Sequence, residues 1–122
     1  MAGIESFIKK VCVQPAVYWE RLGLDGFGKA IFAAPVQVWV RWEEKTEVIK
    51  DKTGKDMVIS ATILTPTDMK ELSMVKLGYV QELHDNDPYK WGAAEIQQYE
   101  KIPLFKRANA FVRKAYVGEK GL

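Results

Sequence analysis

Pro35-Val36-Gln37-Val38-Trp39-Val40-Arg41-Trp42 is the stretch on which the fold turns. Val36, Val38, Val40 and Trp42 alternate with Gln37, Trp39 and Arg41, a period of two that belongs to a strand. Both faces carry bulk, which predicts cover on both. Upstream, Val13, Val17 and Trp19 fall on one face and Ala16 and Tyr18 on the other, so residues 13–19 read as a second strand. Pro15, which has no N–H to donate, places itself at an edge or a strand start. Between the two lies RLGLDGFGKAIFAAP (21–35), whose Gly23, Gly26 and Gly28 supply turn chemistry and read as a loop.

Downstream, residues 47–51 and 56–65 flank Lys52-Thr53-Gly54-Lys55, a tight hairpin with Gly54 in the left-handed position. Met57, Ile59, Ala61 and Ile63 alternate with Val58, Ser60, Thr62 and Leu64, and Pro66 ends the run. Residues 67–72 suggest one helical turn, with Thr67 as cap and Glu71 in the first turn. Residues 74–80, 93–99 and 110–117 read as further strands, and QELHDNDPYKWG (81–92) as an exposed loop. About six short strands with Gly and Pro turns, and no alternation with helices, predict a mainly β chain: a small antiparallel barrel or sandwich. Ile4, Phe7, Ile8 and Val11 occupy one helical face, so residues 1–12 read as an N-terminal arm or short helix. No linker or repeat divides the chain, and 1–122 is expected to form one domain.

The 122 residues hold 18 Lys and Arg against 16 Asp and Glu, a net charge of +2 that announces neither a nucleic-acid nor a membrane surface. Charges interrupt every apolar run well short of the roughly 20 residues that span a bilayer. MAGIESFIKK (1–10) places its charges after a short apolar patch, so no secretory signal and a cytoplasmic origin are expected. The single cysteine, Cys12, forms no internal disulfide and reads as a buried small hydrophobe.

Gly23-Leu24-Asp25-Gly26-Phe27-Gly28-Lys29 satisfies G-x-x-x-x-G-K, but Ala30 stands where a magnesium-binding Ser or Thr belongs, and the following residues are extended. Turn glycines explain it better. His84, Asp85 and Asp87 offer too few ligands for a cation. No catalytic residue, metal ligand or cofactor is assigned, and an enzyme is not expected. Trp39, Arg41 and Trp42 beside Lys50, Lys52 and Lys55 fit an oligonucleotide-binding barrel, except that Glu43, Glu44, Glu47, Asp51 and Asp56 offset the lysines. Lys101, Lys106, Arg107, Arg113 and Lys114 are better phosphate candidates, although spaced cations usually form a solvated face.

QPAVYW (14–19), DGFGKAIFAAPVQVWVRWEEKTEVIKDKTG (25–54), VISATILTPTDM (58–69), GAAEIQQYEKIP (92–103) and FVRKAYV (111–117) follow one another in an order that resembles the head-tail joining proteins of tailed bacteriophages, the head-closure or stopper group. The arm, 1–12, lies outside the resemblance. It implies a β-barrel subunit in a homo-oligomeric ring, a hexamer, in the neck of the virion. A portal or adaptor ring would sit above, tail-completion or tail proteins below, and packaged double-stranded DNA in the channel, with assembly in the host cytoplasm and no membrane. It also implies that residues 43–57 form a protruding hairpin that reaches the channel, with Lys50, Lys52, Thr53, Gly54 and Lys55 as the gate. In such a ring Trp39 or Trp42 is expected at a subunit contact. The alternatives are an adaptor or tail-completion position in the same neck, and the oligonucleotide-binding barrel.

Overall fold

A computed structural model describes residues 10–103 and 111–118. Six strands, β1 (Gln14–Trp19), β4 (Val36–Lys50), β5 (Asp56–Thr65), β6 (Met74–Leu77), β7 (Ala94–Pro103) and β8 (Phe111–Gly118), close into an antiparallel barrel in the order β1-β4-β5-β8-β7-β6. The remaining two, β2 (Arg21–Leu24) and β3 (Ala30–Phe32), form a separate two-stranded sheet. The chain is thus mainly β, as its alternation predicts.

The alternation within β1 divides its side chains between two cores. Ala16 and Tyr18 face the barrel interior with Val38, Val40, Ile63, Val75, Ile96 and Val117. Val17 and Trp19 face outward, where Met74, Ala93, Phe32, Leu83 and Trp91 cover them. A barrel of this strand number is filled by its own side chains. β1 is covered on its second face as well because the β2–β3 hairpin and the segment after β6 fold down over it.

Four local expectations change. The 21–35 stretch is not a plain loop but the β2–β3 hairpin, since its glycines occupy the turn and a register shift between Arg21 and Gly23 rather than breaking the pairing. Residues 67–72 form no helical turn. Two of their peptide N–H groups are spent on tertiary acceptors, Lys70 on the Tyr18 hydroxyl at 2.9 Å and Leu72 on the Ile96 carbonyl at 2.8 Å, with Leu72 at φ 69°. Residues 81–92 are built rather than loose, with 3-10 turns at Val80–Glu82 and Pro88–Trp91. The Trp19 and Trp91 indoles donate to the Asn86 and Asp85 carbonyls at 3.0 and 2.9 Å. Finally, β4 is covered on one face only: Val38 and Val40 are buried, whereas Trp39 between them is 44% exposed.

Pro15 lies at the start of β1, paired on one side with Trp39, and its carbonyl accepts from Gly78 N–H at 2.9 Å. Cys12 is buried, donates from Sγ to the Leu64 carbonyl at 3.3 Å, and has its thiol pKa raised by burial. Among the described residues no helix is long and apolar enough to cross a membrane. The predicted arm falls mostly on residues 1–9, outside the described residues.

Candidate functional site

β4 pairs with β1 only from Val36 to Val40, and β5 pairs with β8 only from Ala61 to Thr65. Beyond those points the two strands have only each other, so the 43–57 stretch is a two-stranded ribbon leaving the barrel wall. Its ladder runs Glu47↔Ile59, Val48↔Val58, Ile49↔Met57 and Lys50↔Asp56. Alternation sends Ile59 inward to full burial and leaves Val48 and Val58, directly opposite one another, 61% and 63% exposed.

The tip is a three-residue loop of the kind that follows a type I turn with a left-handed glycine. Asp51 N–H donates to the Lys55 carbonyl at 2.9 Å and Gly54 N–H to the Asp51 carbonyl at 3.1 Å, with Gly54 at φ 85°. The Asp51 carboxylate accepts from Thr53 N–H, Thr53 Oγ1 and Lys55 N–H at 2.8, 2.7 and 3.0 Å. Those bonds, with the Thr53 hydroxyl foremost, hold its pKa below the usual carboxylate range. Lys50 pairs with Asp56 at 2.5 Å. Lys52 reaches across to Glu71 at 3.4 Å, and the tip borders a 170 Å³ depression shared with Glu71, Gln97 and Gln98. The ribbon therefore bends back toward β7.

The two tryptophans singled out on β4 are held apart. Trp39 lies on the outer face, in edge-to-face contact with Tyr79 at 6.2 Å between centroids. Trp42 packs against the interior cluster, and its Nε1 is buried without a hydrogen-bond partner among the described residues. Next to it the β4–β5 register shifts between Glu44 and Glu47. That bulge opens a cavity of about 410 Å³ lined by Trp42, Glu44, Lys45, Thr46, Ser60 and Ala61.

The other candidates have structural partners. Asp85 accepts from Asp87 N–H and Lys90, Asp87 accepts from Tyr89 N–H, and His84 leans on Trp91. Lys101 and Arg113 converge on Asp68 at 3.2 and 2.6 Å and lie over the Phe111 ring. Lys114 lies over Tyr116. Lys106 and Arg107 lie outside the described residues. The phosphate-loop lookalike is the β2–β3 turn, between antiparallel strands and with no helix to receive an anion.

That turn presents a residue that the sequence reading passes over. Phe27, at its apex, is 98% exposed. The available signal is a repeated phrase, D-x-x-G-K, at 25–29 and again at 51–55. No family model matches the chain, and no curated protein matches it.

Proposed function

We propose that the chain is a structural connector of a tailed-phage neck, a head-closure subunit whose ring lies below the portal, retains packaged double-stranded DNA and docks the tail. The observation that carries this reading is the co-linear order of the phrases at 14–19, 25–54, 58–69, 92–103 and 111–117. Support comes from where they fall: on the barrel strands, their turns, and the long ribbon between β4 and β5. No step in this reading makes or breaks a covalent bond, and it calls for no cofactor.

The ribbon at 43–57 acts as the gate, with Lys50, Lys52, Thr53, Gly54 and Lys55 at its moving end. Its tip is stiff, because Asp51 ties the turn together, so it moves as a unit. One contact that holds it back is the exposed Lys52–Glu71 pair, and such pairs contribute about 0.2–1 kcal/mol. Docking of the tail shifts the population between two ribbon positions. Deletion of residues 51–56 tests the gate: particles carrying it should lose DNA after packaging, and normal retention removes the assignment. Electron microscopy of the particle neck tests the whole reading. A ring of this chain between portal and tail is expected, its neighbours decide between stopper, adaptor and tail-completion positions, and its absence ends the proposal.

One observation favours a second reading, an oligonucleotide-binding barrel. Trp39 and Tyr79 form a half-exposed aromatic pair on the outer wall, 44% and 47% exposed, on which bases would stack. It predicts salt-dependent quenching of Trp39 fluorescence by single-stranded DNA, and fluorescence unchanged by DNA at low salt removes it.

A further inference from the structure

The outer wall of the barrel carries an apolar patch at the start of β1. Pro15 pairs with Trp39, and the Trp39 ring meets Tyr79 edge to face at 6.2 Å between centroids. Gly78 N–H donates to the Pro15 carbonyl at 2.9 Å, which seats Tyr79 beside them. Val13, two residues before Pro15 and so on the same side of the chain, is 65% exposed. Trp39 and Tyr79 are half-exposed. Val13, Trp39 and Tyr79 belong to neither the interior cluster nor the one over Val17 and Trp19.

The chain immediately before this patch has an apolar side of its own. Ile4, Phe7, Ile8 and Val11 recur at helical spacing, and Glu5 and Lys9, one turn apart, support the same helix. Lys10 and Val11, where the described residues begin, are helical. A helix this short is marginal in water unless its apolar side is buried. The route of the chain bears on where that side goes. β1 runs from Gln14 beside Val40 to Tyr18 beside Val36, so the chain traced backward from Gln14 leaves Trp39 and heads toward Trp42. The contacts continue that way: Gln14 Oε1 accepts from Trp42 N–H at 2.7 Å, and Cys12 Sγ reaches the Leu64 carbonyl at 3.3 Å. The arm thus starts by moving away from the patch of its own copy. Residues 1–9 would span about 13 Å as a helix and about 30 Å extended, enough to cross to an adjoining subunit.

We infer that the arm is exchanged between copies: the Ile4, Phe7 and Ile8 side of one chain lies on the Val13, Pro15, Trp39 and Tyr79 patch of the next. Both surfaces are apolar. The next outward residue on β4, Arg41, is already paired with Glu43 at 3.0 Å, so docking strands no lone cation. Each subunit gives one arm and takes one. Arm and patch are different surfaces, so the contact is heterologous and propagates into a ring or a filament. This deepens the neck reading and rests on its ring, with Trp39 rather than Trp42 at the subunit contact.

The test mixes two forms of the full chain, both with Cys12→Ala so that no native thiol takes up label. One carries a nitroxide at Ser6→Cys, a position off the apolar side of the arm, and the other is isotope-labelled on nitrogen only. At about 1 mM chain, where even a contact of millimolar Kd is roughly half occupied, the Trp39 indole N–H resonance of the isotope-labelled form should lose about half its intensity. Phe7→Ser with Ile8→Ser in the nitroxide form should restore it, and that variant's own barrel amides report that it is folded. A Trp39 resonance that keeps its intensity overturns the inference. So does broadening confined to a chain that carries both labels, which places the arm on its own copy. Broadening that persists with Phe7→Ser and Ile8→Ser reports random collision and also overturns it. The two readings fail separately. Arm exchange by a chain absent from the particle removes the neck alone, while a neck ring without the broadening removes the exchange alone.

Discussion

Trp42 combines a partly buried ring, packed against the interior cluster, with a donor unsatisfied among the described residues, and the two can be separated by substitution. Trp42→Phe keeps much of the apolar surface against the interior cluster and deletes the orphan N–H, whose burial unpaired costs about 1–3 kcal/mol. The isolated chain should therefore lose little stability or gain some in urea unfolding. Trp42→Ala leaves a void instead and should cost about 3–5 kcal/mol. Gly54, at φ 85°, makes the complementary case for backbone. Gly54→Ala meets no neighbour within 4 Å, so its cost of about 1 kcal/mol comes from the left-handed conformation alone. Asn at 54 should recover part of it in thermal melts.

At the scale of elements, the loop from Pro66 to Ser73 is tied to the barrel by Asp68. Arg113, and then Lys101 and Tyr99, hold the Asp68 carboxylate at about 2. A pKa lowered on folding contributes stability above the unfolded value near 3.8 and loses it as pH falls through about 2. Asp68 is largely exposed, so solvent screening keeps the contribution to about 0.2–1 kcal/mol. Asp68→Asn should flatten the acid limb of the stability curve between pH 4 and 2 and leave the neutral region only slightly lower. The two D-x-x-G-K turns offer a matched pair. Asp25 and Asp51 are both held ionised by turn N–H and hydroxyl donors. Asp51→Ala should speed amide exchange at Thr53 and Lys55 while the barrel amides keep their protection, which two-dimensional NMR resolves.

For the whole molecule, closure means that interior residues of all six barrel strands share one core. Ile63 is fully buried in it, and Ile63→Ala should cost about 2–5 kcal/mol and lower the melting temperature of all strands together. Removal of residues 51–56 acts at the far end of a ribbon that neither β1 nor β8 pairs with. That deletion should leave the far-ultraviolet circular dichroism and the single cooperative transition in place. Two transitions would mean that the ribbon and the barrel are less separate than their pairing indicates.

The sequence alone determined the elements whose signal is local. Alternation from Val36 to Trp42 and from Met57 to Leu64 marks strands because the pleat sends neighbours to opposite faces, and Gly54 marks its turn because few other residues tolerate that φ. The same parity places Trp39 and Trp42 on opposite faces of β4. Only the tertiary structure decided which face is inside, since that depends on which strands become neighbours. The barrel order joins β1 to β4 and β6, partners 18 to 61 residues away in the chain. It likewise overrode the helical turn at 67–72, whose donors found Tyr18 and Ile96, and covered the outer face of β1 with a loop that reads as solvent-exposed. Phe27 was visible as a letter in a turn, but its 98% exposure is set by where the tertiary structure places the β2–β3 hairpin. Local sequence fixes φ, ψ and face, whereas burial is a property of what the rest of the chain brings alongside.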